Sequence, residues 1–418
     1  MASAEGALRA PPSVVVAPDS FKGSLDAPAV CAALEAGLRR VWPKASIRRC
    51  PMADGGEGTL DAVLTAAGAA GVRRQRAVRG AAGAPVEAGY GVLGRGEDAV
   101  AVIEVAQVVP ITDAPAMARR VADRDTRGIG ELVVALLDAG LRRFMIGLGG
   151  SSTNDGGAGM LAALGMKLLD VHGRVVLPTP AGLATLARVD ARGLDRRLGQ
   201  CRITIMSDVN NPLCGERGAT AVFGAQKGVT RDDVARFDAA LGRFAALAEA
   251  AIGRPAAERP GAGAAGGVGF ALQAIGGEFR SGAAVVADLN GLDRALAHAD
   301  WALTGEGRSD AQTLLAKAPF VVAQRARLAG VPATLVSGAV DPAALDALGE
   351  HFAGSFGIAP GPMVLAECVA RADALLADRA AELARVFAAA RRCPVSPPSK
   401  PSTACTQPAR RARTRRRA

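Results

Sequence analysis

Short apolar runs alternate with segments of helical period through most of the chain. Ser13 to Ala17 (SVVVA) reads as a strand buried on both faces, because a continuous β-branched run leaves no polar side for solvent. Asp26 to Arg40 places Val30, Leu34, Gly37 and Leu38 at helical spacing, and Ile47 to Met52 reads as a second strand. Further strands are predicted at Phe144 to Leu148, Ile203 to Met206, Ala302 to Thr304 and Ala333 to Ser337, each ending in a polar or glycine-rich loop. This alternation predicts an α/β fold built on a parallel sheet. Ligands of such sheets bind beyond the carboxyl ends of the strands, where these loops lie.

Val72 to Val109 has a different texture. Ala77 to Arg79, Pro85 to Val92 and Ala99 to Val105 are separated by glycine-rich turns, as in antiparallel hairpins. The reading is therefore of two domains, one inserted in the other. A Rossmann-like α/β domain takes 12–75 and 287–391, and a mixed α/β domain takes 76–286. A closing helix over Val364 to Ala390, with Leu365, Val369, Leu375, Leu376, Leu383 and Val386 in register, is expected to pack on the sheet.

Composition narrows the class. The chain has 418 residues, half of them apolar and 22% charged, which fits a globular protein with a large core. No apolar run reaches the ~20 residues of a membrane helix. The first residues lack a basic and an apolar region, so no secretory signal is expected. Seven scattered Cys fit free thiols and a cytoplasmic setting, and three distant His (His172, His298, His351) argue against a His metal site or a Ser-His-Asp triad. The net charge of +10 is local: nine of the 50 basic residues lie from Arg391 onward with no acid, leaving 41 basic against 40 acidic residues elsewhere. Residues 392–418 are also Pro-rich and read as a disordered tail. Nucleic-acid binding through this tail is an alternative function, but no specific nucleic-acid partner is expected.

Six polar, glycine-rich clusters remain. They are Ala17 to Ser24 (APDSFKGS), Pro51 to Thr59 (PMADGGEGT), Ile146 to Met160 (IGLGGSSTNDGGAGM), Ser207 to Leu213 continuing into Phe223 to Gly228, Gly261 to Gly267, and Thr304 to Asp310 with Lys317 downstream. A strand that empties into glycines at a helix start lets backbone N–H groups surround an anion, and an embedded carboxylate suits a cation beside it. Phosphoryl transfer needs these parts: N–H groups and Lys or Arg around phosphates, carboxylates for Mg²⁺, and one carboxylate near the attacking hydroxyl. None of the clusters has the G-x-x-x-x-G-K-[ST] spacing, and the first loop lacks G-x-G-x-x-G. A dinucleotide-dependent oxidoreductase remains an alternative. Bland readings also stand: Asp19 and Ser20 as capping residues, Gly55, Gly56, Gly156 and Gly157 as close-packing glycines, Gly261 to Gly267 as a hinge or packing face, and Lys227 and Lys317 as surface lysines.

At these clusters the chain resembles the bacterial type-1 glycerate kinases. The matching segments are APDSFKGSL, PMADGGEGT, GLGGSSTNDGGAGML, DVNNPLCGERGAT, VFGAQKG, PGAGAAGG and TGEGRSDAQTLLAKAP, spanning about residues 14 to 390. The resemblance implies two α/β domains with the active site in the cleft between them. It also implies ATP- and Mg²⁺-dependent phosphorylation of D-glycerate to a phosphoglycerate, with 2-phosphoglycerate favoured over 3-phosphoglycerate, by a monomer or homodimer. Ala225 stands where the family usually has Pro, Ala316 where it commonly has Gly, and Arg124 to Gly128 replace a Thr- and Tyr-rich segment. On chemistry and placement, Asp54, Asp208 and Lys22 are the candidate catalytic residues. Asp19, Ser20, Arg308 and Asn210 are candidates for glycerate. Gly55, Gly56, Gly149, Gly150, Ser151, Ser152, Asn154, Gly156, Gly157 and Lys227 are candidates for nucleotide phosphate, and Asp155, Glu306 and Glu57 for the metal.

Overall fold

The computed structural model describes residues 11–392; beyond Arg392 the predicted tail lies outside the described residues. Numbered along the chain, the strands are β1 (Ser13–Val16), β2 (Ser46–Arg49), β3 (Gly71–Arg79), β4 (Pro85–Leu93), β5 (Val100–Glu104), β6 (Arg143–Gly147), β7 (Lys167–Leu169), β8 (Arg188–Asp190), β9 (Arg202–Met206), β10 (Glu278–Arg280), β11 (Trp301–Thr304), β12 (Arg308–Ser309), β13 (Ala333–Ser337), β14 (Ala339–Val340) and β15 (Gly354–Gly357). Five of them form a parallel sheet in the order β15-β13-β11-β1-β2. Its central strands β1, β11 and β13 are the apolar runs of the sequence, covered on both faces as a parallel sheet requires.

A second sheet, in the order β10-β9-β6-β5-β4-β3, is parallel from β10 to β5 and antiparallel from β5 to β3. All its strands fall in the chain between β2 and β11. The three hairpin segments are β3, β4 and β5, but β3 begins at Gly71, so the limit drawn at residue 76 falls inside a strand. The helices Thr59–Ala67 and Gly282–Asn290 lie between the sheets. Their Leu60, Val63 and Val286 join one apolar cluster with Met206 and Val102 of the second sheet and Val15, Ala302 and Leu335 of the first.

On the other face of the first sheet pack the helices Ala27–Val41 and Ala372–Arg392. The first starts where expected: the Asp26 carboxylate accepts the Ala29 N–H at 2.7 Å, Pro28 sits in the first turn, and Arg39 and Arg40 meet the negative end of the dipole. The closing helix is not continuous. It breaks at Arg371 (φ −116°, ψ 17°) into Leu365–Ala370 and Ala372–Arg392. Leu375, Leu376 and Leu383 are buried as expected, whereas Leu365 and Val386 are 78% and 68% exposed. None of the described helices is long and apolar enough to cross a membrane.

Candidate active site

Loops from the carboxyl ends of both sheets meet through bare backbone. Gly55, after β2, has φ +93°, and a Cβ there would come within 2.4 Å of the Met206 carbonyl oxygen at the end of β9. A Cβ on Gly149, after β6, would come within 2.3 Å of the Gly56 Cα. The Gly149 N–H closes the contact by donating to the Gly55 carbonyl at 3.2 Å. Only glycine permits this approach, and the left-handed backbone at Gly55 favours it further. The seam brings Asp54, one residue before Gly55, up to Asp208, two residues after Met206.

Asp54 is the shared neighbour of three other carboxylates. Its own Oδ1 accepts the Gly56 N–H at 3.0 Å, which shapes the loop that opens the helix Thr59–Ala67. Asp19 is 7% exposed. Burial, and then the charge of Asp54, push its carboxyl up to about 8, against the pull of the Ser20 N–H and Lys22. Burial likewise pushes Asp208 up to about 7; Asp54 adds to this, while the Ser281 hydroxyl and Gly282 N–H offset part of it. Glu306 is raised by burial and by Asp54, and pulled back by the Thr313 and Ser309 hydroxyls and by Lys317. Those hydroxyls donate to its Oε1 at 2.6 and 3.0 Å, and the Lys317 ammonium lies 3.7 Å from Oε2. Like charges in one buried place raise each other's affinity for a proton or a cation.

The donor set suits Mg²⁺. Asp208 Oδ2 is buried without a hydrogen-bond partner, an acceptor left available to a cation or a proton. Among the described residues no group of three or more His, Cys, Asp or Glu side chains is placed to hold a metal ion. Mg²⁺ commonly takes one or two protein carboxylates and completes its shell with phosphate oxygens and water, so a partial hard-oxygen set fits it.

The remaining candidates divide into three groups. Lys22 and Arg308 are exposed at one mouth: Gly307 packs beside the Lys22 backbone, and Arg308 lies 3.7 Å from Asp341 and 3.9 Å from Asp310. Ser20 is half-buried beside Asp19, Gly55 and Gly56 line the seam, and Gly149 and Gly150 are partly exposed. Asn210 and Glu57 are exposed, and among the described residues no hydrogen bond or ion pair ties Glu57 to the carboxylate group. From Ser151 onward the glycine-rich loop turns inward. The Ser152 hydroxyl donates to the Val109 carbonyl at 3.0 Å, and the Asn154 amide donates to the Thr220 hydroxyl at 2.9 Å. Gly156 and Gly157 pack against Phe244 and Ala271. Lys227 is 2% exposed, so it is neither a surface lysine nor a side chain open to the cleft.

Asp155 is placed differently from a metal ligand. It is fully buried, and its carboxylate already holds four donors: the Thr126 N–H (2.9 Å) and hydroxyl (2.7 Å), the Gly157 N–H (3.1 Å) and the Gly159 N–H (3.0 Å). It thereby caps the helix Ala158–Ala163 and ties it to the start of the helix Arg127–Asp138. The Gly261 to Gly267 run serves packing: the Gly156 N–H donates to the Gly266 carbonyl at 2.9 Å, and a Cβ on Gly266 would meet Thr153.

Three residues near the site carry no role in the sequence reading. Glu104, at the end of β5, is 1% exposed; it accepts the Leu60 N–H and so caps the helix Thr59–Ala67 from the other sheet. Its one sequence signal is a lone acid inside the apolar run AVIEV. Arg124 is buried beneath the glycine-rich loop, and Ser281 faces Asp208 while capping the helix Gly282–Asn290.

Comparisons with known proteins agree with this architecture. The profile of the Glycerate kinase family matches residues 14–388. A glycerate kinase of Bacillus subtilis (strain 168) is 39% identical over 89% of this chain and 96% of its own length. A glycerate 2-kinase of Escherichia coli (strain K12) is 40% identical over 78% of this chain and 85% of its own. A Salmonella typhimurium LT2 crystal structure, provisionally described as glycerate kinase 2, superposes with a TM-score of 0.79 at 39% identity and covers 92% of this chain and all of that one. These matches displace the oxidoreductase alternative. With the match running through both sheets and every loop of the cleft, the chain belongs to the glycerate kinase family of enzymes.

Proposed function

We propose that the enzyme transfers the γ-phosphoryl group of ATP to the 2-hydroxyl of D-glycerate, giving 2-phosphoglycerate and ADP. The observation that carries this reading is the convergence of Asp19, Asp54, Asp208 and Glu306, with Lys22 beside them, where the loops of the two sheets meet. The choice of the 2-hydroxyl rests on the name of the Escherichia coli relative.

Asp208 acts as the base: a carboxyl near 7 accepts a proton at neutral pH and is still ionised in a useful fraction. As it takes the hydroxyl proton, the glycerate oxygen bonds to the γ-phosphorus, the bond to the bridging oxygen breaks, and ADP leaves with that electron pair. Asp54 would hold Mg²⁺ with one neighbouring carboxylate, Asp19 or Glu306, phosphate oxygens and water completing the shell, and the ion when bound neutralises charge on the transferring group. Lys22 donates to the phosphoryl oxygens. Arg308, held by its acidic neighbours only at 3.7–3.9 Å, exchanges them for a bidentate grip on the glycerate carboxylate. Gly149 and Gly150 supply the partly exposed edge that receives the phosphates. A coupled ADP-release assay tests the assignment: Asp54→Asn and Asp208→Asn should each lose at least about a hundredfold in kcat. Near-normal kinetics in both variants would refute it.

A further inference from the structure

Two cations are buried where the fold has no apparent use for them. Arg124 and Lys227 are 1% and 2% exposed, and both grip the back of the glycine-rich loop. Arg124 Nη1 donates to the Ser152 carbonyl at 2.8 Å and Nη2 to the Lys227 carbonyl at 2.6 Å. Lys227 Nζ donates to the Thr153 carbonyl at 2.8 Å and to the Ser151 hydroxyl at 3.0 Å. Charge compensation is thin. The carboxylate facing Lys227 is Asp155, already engaged by four donors, and Arg124 Nε has no partner.

Stability alone does not account for the pair, because apolar groups of similar volume usually serve a buried site as well as charges or better. What the cations add is direction. They hold the Ser152 and Thr153 carbonyls on the buried side of the loop, and through the buried Ser151 hydroxyl they place positive charge just behind its partly exposed edge, Gly149 and Gly150.

We propose that Arg124 and Lys227 are positioning residues that hold this edge in its phosphate-receiving form. They act through the Ser151 hydroxyl and the Ser152 and Thr153 carbonyls and touch no substrate. The proposal rests on the kinase reading above and deepens it. It replaces the expectation of direct phosphate contact by Lys227 with action at one remove.

The test compares full-length wild type, Lys227→Met, Ser151→Ala and the double variant at 20 °C, measuring melting temperature, kcat, both KM values and ADP binding by calorimetry. In Lys227→Met, the ATP KM and the ADP dissociation constant should rise at least tenfold, with the glycerate KM within twofold. Ser151→Ala, which keeps both cations but cuts the link to the edge, should raise the ATP KM severalfold alone and add nothing in the double variant. It keeps the proposal testable if Lys227→Met fails to fold. Lower melting temperatures with unchanged nucleotide KM, or equal losses toward glycerate and ATP, would overturn the proposal. Wild type that phosphorylates no glycerate would instead overturn the kinase reading.

Discussion

Two glycines of one loop, Gly55 and Gly58, separate backbone strain from contact at the seam. Both have left-handed backbones, φ +93° and +90°. A Cβ on Gly58 would find no atom within 4 Å, whereas one on Gly55 would lie 2.4 Å from the Met206 carbonyl oxygen and 2.6 Å from its carbon. Gly58→Ala should therefore cost only the left-handed penalty, about 1–2 kcal/mol. Gly55→Ala carries the same penalty plus about 1–3 kcal/mol for forcing backbone apart in a packed place, about 2–5 kcal/mol in all. Relieving the contact requires a shift of roughly 1 Å between the loops that carry Asp54 and Asp208, and a displacement of that size costs about a hundredfold in rate. Urea unfolding and the coupled assay read the two consequences. Gly58→Ala should keep kcat within a few fold, while Gly55→Ala should lose about two orders of magnitude as well as more stability. Equal unfolding midpoints and equal kcat in the two variants would refute the claim that this seam assembles the site.

Other outcomes follow from single groups. On the proposed role of Asp208 as base, it must be ionised to accept a proton; with its carboxyl near 7, kcat/KM for glycerate should fall as pH drops through about 7. Ser281→Ala removes a hydroxyl that favours the ionised form, so this limb should move to higher pH; an unmoved or lowered limb would contradict the assignment. Asp155→Asn should cost about 2–4 kcal/mol, because an amide cannot satisfy all four donors, yet leave the Mg²⁺ concentration for half-maximal activity unchanged in the folded fraction. Ala316, at φ 62°, holds a left-handed backbone without being glycine. Ala316→Gly should raise the unfolding free energy by about 0.5–1 kcal/mol, the left-handed penalty less the entropy glycine adds to the unfolded chain, and so raise the urea midpoint; a lowered midpoint would oppose this account.

The sequence shows the strands that are buried on both faces with little ambiguity. SVVV and ATLVS are buried almost throughout, and the end of SVVV leads directly to the loop that bears Asp19. It is silent about backbone dihedrals. The apolar register of the closing helix runs unbroken through Arg371, where the backbone breaks. It is equally silent about which donors a carboxylate meets. Asp54 and Asp155 stand in nearly the same local sequence, yet one faces three other acids and the other is filled by two N–H groups of its own segment and by the N–H and hydroxyl of Thr126, 29 residues away. Glu104, Arg124 and Lys227 follow the same logic. Their partners lie across the fold, so spacing along the chain carries no trace of them.

The most direct test of the central claim is NMR of the product formed by wild-type protein from D-glycerate and ATP–Mg²⁺. Phosphorus coupling to the C2 position, with ADP formed in equal amount, is the predicted result. Phosphate on the 3-hydroxyl would contradict the assigned position, and the absence of any phosphoglycerate would contradict the proposed activity itself.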